Sequence, residues 1–146
     1  MWSDTLLLAE RAHLVRLLAW GAASVLAGSA VGALLAARRI ASPLLAHFAI
    51  QSAAWGAIDL LIAGIAWRGL AMRDVAGATR LDRLLWLNAG LDVGYVAVGA
   101  TLAIAGWVHG RSLGAVGAGL GIVVQGIALL VLDAKFIGEL GRIALN

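Results

Sequence analysis

Four long apolar runs, at about residues 17–37, 44–67, 84–108 and 113–137, are set apart by short clusters of charged residues. Each run holds 20 or more residues. At about 1.5 Å per residue that length crosses a hydrocarbon core of about 30 Å. The pattern predicts an all-α fold, an integral membrane four-helix bundle, with residues 1–146 forming a single transmembrane domain. Residues 1–16 read as an interfacial helical lead-in continuous with the first span. Ser3 and Asp4 offer an N-cap, and Leu6, Leu7, Leu14 and Leu17 keep helical spacing around Glu10, Arg11 and His13. The lead-in lacks the short apolar core and small-residue cleavage site of a signal peptide, so no removal is expected. Pro43 suits the first turn of the second helix.

Composition agrees with this reading. Apolar residues make up 62% of the chain and charged residues 13%, and the mean hydropathy is +0.96. Soluble domains average about 45–50% and about 25%. No segment alternates in polarity over about ten residues, as the strands of a membrane barrel do. The absence of Cys excludes disulfides and thiolate metal sites. The net charge of +3 does not point to nucleic acid, because the basic residues cluster at the ends of the apolar runs. One side of the expected bundle collects Arg11, Arg16, Arg68, Arg73, Arg80, Arg83, Lys135 and Arg142, and the other only Arg38, Arg39 and Arg111. By the positive-inside rule both termini face the cytoplasm. Trp2, Trp67, Trp86 and Trp107 fall near run ends, where interfacial aromatics belong.

Short connections after Arg38 and after His109 predict that helices 1 and 2, and helices 3 and 4, are antiparallel neighbours. The two hairpins read as an internal repeat. Residues 14–35 and 81–102 align without gaps at 10 identical positions of 22, and Gln51 and Asp59 correspond in spacing to Gln125 and Asp133. Each hairpin enters from the same side, so the repeats are parallel, related by an axis along the membrane normal. Small residues four apart (Gly28 and Gly32, Gly90 and Gly94, Gly117 and Gly121) predict close helix packing, or dimerisation through one of these faces.

Polar residues inside the runs carry the functional signal. Asn88, Asp92, Tyr95 and Gly99 share one face of helix 3; His47, Gln51, Trp55 and Asp59 follow i+4 spacing on helix 2, as Gly121, Gln125, Leu129 and Asp133 do on helix 4. A charged group near mid-bilayer costs about 2.5–3.5 kcal/mol on insertion scales, so these faces are expected to look into protein. Asp59 and Asp92 should share a depth, with Asp133 shallower and within snorkelling reach of Arg16 or Arg83. Two readings follow: a site for a proton, cation or small ligand built from Asp59, Asp92, Asp133, Asn88, Gln125, Gln51, Tyr95 and His47, or polar contacts that only fix helix register. His47 and His109 near the outer face lack a third ligand, so neither haem nor another metal site is expected, and no cofactor. No phosphate loop, nucleophile with base, or metalloprotease motif occurs, so no catalytic residue is assigned.

The stretches LLWLNAGLDVGYVAVGATL, GIVVQGIALLVLD and AHFAIQSAAWGAIDLLIA resemble an uncharacterised family of small four-helix bacterial membrane proteins, a domain of unknown function. The resemblance spans about residues 44–136 and rests on Asn88, Gly90, Asp92, Tyr95, Gly99, Gln125, Gly126 and Asp133. It implies a four-helix inner-membrane protein and no particular activity. Small multidrug exporters share the helix count but depend on a carboxylate in helix 1, which the first span lacks. The expected partners are the lipid bilayer and either a second copy of the chain or a larger membrane complex, in which this chain would be a non-catalytic accessory or assembly subunit.

Overall fold

The computed structural model describes residues 2–144, which form four α-helices and no strand. They are α1 (Trp2–Arg38), α2 (Pro43–Arg68), α3 (Val75–Val108) and α4 (Leu113–Ala144). All four are long and apolar enough to cross a membrane.

The helices run further than the apolar stretches. The lead-in and the first span are one unbroken helix of 37 residues, about 55 Å long. Ser3 and Asp4 are already helical, so the cap expected there does not form. α3 starts at Val75 rather than near residue 84, capped by Asp74, whose side chain accepts from the Gly77 amide at 2.7 Å. α4 continues past residue 137 through Glu139 and Arg142. Polar residues end the apolar stretch, but Arg and Glu are good helix formers and do not end the helix. α2 keeps its expected bounds because Ser42 and Pro43 start it and Gly69 stops it.

α1 packs on α2 and α3 on α4, antiparallel in each case; α4 also packs along α2 and α1. Glycines set these distances. A Cβ added at Gly56 would stand 2.6 Å from the Gly21 carbonyl oxygen, and one at Gly119 would stand 2.5 Å from that of Gly99. Backbones therefore meet directly in both hairpins. Each hairpin also turns through one left-handed residue, Arg39 (φ 51°) and Arg111 (φ 48°). At Arg39 the turn is a Schellman closure, with the Ile40 amide donating to Leu35 and the Arg39 amide to Ala36.

α4 is the hub. Among the described residues, no Cα of α3 comes within 8 Å of one in α1 or α2, so the backbone of α3 packs on α4 alone and only side chains reach α2. A cleft is left between α2 and α3. The tightest apolar packing lies beside it, at the end that holds both termini, where Leu6, Leu14, Leu17, Leu85 and Phe136 are buried. The former lead-in is thus part of the core, with Leu6 2% exposed.

Candidate acidic cleft

The cleft encloses about 410 Å³, with α4 as its floor, α2 and α3 as walls, and α1 and the α2–α3 loop closing one end. Asp59 of α2, Asp92 of α3 and Asp133 of α4 all line it. They are 2%, 4% and 8% exposed, so none faces lipid. The helical spacing accounts for this, since each acid sits on the stripe that its helix turns toward α4 or across the cleft.

The three acids are held differently. The Trp20 indole N–H can only donate, and it meets Gln125 Oε1 at 3.1 Å. That leaves the Gln125 amide nitrogen to donate to Asp59 Oδ2. One chain of hydrogen bonds thus ties α1, α4 and α2 together. Asp133 Oδ1 lies 3.5 Å from His13 Nε2, and the His13 ring stacks on Phe136 at 4.6 Å and 17°. Asp92 is buried, and its Oδ2 has no hydrogen-bond partner among the described residues.

Tyr95 and Trp55 meet across the cleft from opposite walls, ring centroids 5.0 Å apart and tilted by 58°. Each stands about one turn from an acid: Trp55 four residues before Asp59, Tyr95 three after Asp92. Asn88 also lines the cleft. Gln51 and His47 do not. Gln51 packs against Gly121 on the seam between α2 and α4, and His47 lies against Gly114 near the opposite end.

Two expected contacts are replaced by others. Asp133 is not reached by Arg16, which donates to Glu139 Oε1 at 2.8 Å, nor by Arg83, which is exposed; its neighbour is His13. Glu10 is not a solvated residue of an amphipathic lead-in but 5% exposed. It accepts two hydrogen bonds from the Arg73 guanidinium, one of them from Nε at 2.9 Å. The hydrogen bonds with Glu10 raise the affinity of Arg73 for its proton above the usual guanidinium value. The signal was in the spacing: Leu6, Glu10, His13, Leu14 and Leu17 fall on one face, so polar residues share the stripe that carries the buried leucines.

Residues 16–134 match the family of unknown function DUF6992. The chain belongs to this family. The match reaches further than the resemblance in the sequence suggested, because it includes α1 from Arg16 onward. No curated protein and no solved structure matches the chain. The DUF6992 segment contains Asp59, Asp92, Asp133, Gln125 and the Trp55–Tyr95 pair, whereas Glu10 and His13 precede it.

Proposed function

We propose that this DUF6992 chain is a small multi-pass protein of the bacterial inner membrane that binds or passes a proton, cation or small ligand at the acidic cleft. One observation carries the reading: Asp92 is buried in the cleft wall with an oxygen that no described residue satisfies. Leaving a buried polar atom unpaired costs about 1–3 kcal/mol, more for a charged one, and structural acids are normally paired. Asp59, held by Gln125, shows what a structural arrangement looks like in the same cleft. Both termini lie in the cytoplasm on this reading, supported by the eight basic residues at their end of the bundle against three at the other.

The two hairpins are read as parallel repeats, and packing register supports this. In the first hairpin the numbers of facing residues add up to 77 (Gly21 with Gly56, Gly28 with Ala49); in the second they add up to 218 (Gly99 with Gly119, Asp92 with Gly126). The difference of 141 is the total of the offsets 67 and 74 that align helix 1 with helix 3 and helix 2 with helix 4.

The test is thermal unfolding of the purified protein in detergent from about pH 5 to about pH 9, a range over which a buried carboxyl can titrate. Wild type should show a midpoint that moves with pH, and Asp92→Asn should flatten the response. A level wild-type profile would count heavily against a titrating site. A second reading, an accessory or assembly subunit of a larger membrane complex, is favoured by the open space around Gly90 and Gly94 on the outer face of α3. In that case the chain should co-purify with stable partners and be unstable without them.

A further inference from the structure

We infer that the cleft takes a monovalent lipophilic organic cation, an amine or quaternary ammonium on an apolar body, admitted sideways between α2 and α3. This rests on the acidic cleft being the working site.

Charge selects the head of the ligand. The groups facing Asp92 are Asp59 from α2, Asp133 from α4, Glu10 and His13 from α1, and Arg73 from the α2–α3 loop. Arg73 and Glu10 satisfy each other. Three acids then remain against one histidine, and the free oxygen of Asp92 lies among them. In a low-dielectric cleft this arrangement favours one positive charge strongly. Among the described residues no three His, Asp or Glu side chains converge closely enough to hold a metal ion. The acids are spread instead along a cleft of small-molecule size, about 410 Å³.

The rest of the lining selects an apolar, cation-tolerant body. Leu85, Leu91, Ile58 and Leu129 line the cleft together with the acids. Trp55 and Tyr95 line the cleft, each about one helical turn along its helix from Asp59 or Asp92, and aromatic rings attract a cation over their faces. The route is lateral. Ile62 and Leu84 form lips on facing walls, both more than half exposed, and no backbone contact joins α2 to α3. A ligand dissolved among acyl chains reaches Asp92 through that gap without crossing the packed core.

Equilibrium dialysis of labelled benzyltrimethylammonium against the full-length protein in zwitterionic lipid nanodiscs tests this. The probe carries a permanent charge, so its own titration does not enter. Wild type should bind it saturably and less tightly at about pH 5 than at about pH 8, as protons compete for the carboxylates. Asp92→Asn should weaken binding by about tenfold or more, Asp92→Glu should keep it, and Asp82→Asn, outside the cleft, should leave it unchanged. Ile62→Trp should slow uptake. Neopentylbenzene, the neutral carbon isostere, should not compete. The inference is overturned by absence of saturable binding to wild type, by equal binding to Asp92→Asn, or by equal competition from neopentylbenzene. If the Asp92-dependent pH response of unfolding survives such a result, the ligand class is wrong and the acidic site stands; if that response is also missing, both fail.

Discussion

Among the described residues Gln125 is the one side chain that both accepts from α1 and donates to α2, so its loss should do more than the loss of either contact. Gln125→Leu leaves Asp59 buried without its donor and should cost about 1–3 kcal/mol, whereas Trp20→Phe removes one hydrogen bond and should cost about 0.5–1.5 kcal/mol. Replacing both members of the buried pair, Asp59→Leu with Gln125→Leu, should recover much of the single-mutant loss, because no polar atom is then stranded. Denaturation in mixed micelles would rank the four proteins; a double mutant worse than the two singles combined would contradict this account. The convergence of the three acids was legible from helical spacing, because i+4 stripes on apolar helices have nowhere to go but inward. Their partners were not. Asp133 lies within reach of several groups along its own depth, and which of them it meets depends on how α1 crosses α4, a quantity spacing does not contain.

At the scale of elements, the α2–α3 connection is pinned beneath α1 by Arg73 and Glu10. Arg73 binds its proton more tightly in the folded protein than when unfolded. Its contribution is therefore present across the neutral and alkaline range and fades only as pH rises through the raised guanidinium value of the folded protein. Amide exchange in residues 69–74 should accordingly show the same protection factors at about pH 7 and about pH 10, and Arg73→Gln should lower protection at both. The glycines divide just as sharply. Gly56→Ala and Gly119→Ala would push a methyl group against a facing carbonyl and should cost about 1–3 kcal/mol. Gly64→Ala and Gly94→Ala enter open space and should be neutral or stabilising by about 0.5–1 kcal/mol. Equal gains at all four sites would show that helix propensity, not contact, dominates. Sequence spacing marked Gly28, which meets Ala49, and Gly94, which meets open space, in the same way, since small residues four apart occur on inner and outer faces alike. It also marked apolar span length, not helix length, which explains why α1, α3 and α4 exceed their expected bounds.

For the whole molecule, short turns made the neighbours within each hairpin legible, but the way the hairpins meet was not. α4 packs along α2, while α3 stays clear of both α1 and α2. A chain without Cys suits a direct check. Cysteine pairs placed between α1 and α2, or between α3 and α4, should oxidise to disulfides, whereas pairs between α2 and α3 should need a spacer reagent, because disulfides form only when Cα atoms lie within about 7 Å. Spontaneous bridging of α2 to α3 would mean that the gap closes in solution.

Backbone packing along a single edge has a mechanical outcome. Any rotation of α3 on its seam with α4, where Gly99, Gly119 and Gly126 bring the backbones together, would part Tyr95 from Trp55. Such a swing would disturb neither the Trp20–Gln125–Asp59 chain nor the Arg73–Glu10 clasp, since none of those residues belongs to α3. The free oxygen of Asp92 and the ring of Tyr95 ride on the moving leaf, so its angle would set how far they stand from the fixed acids opposite.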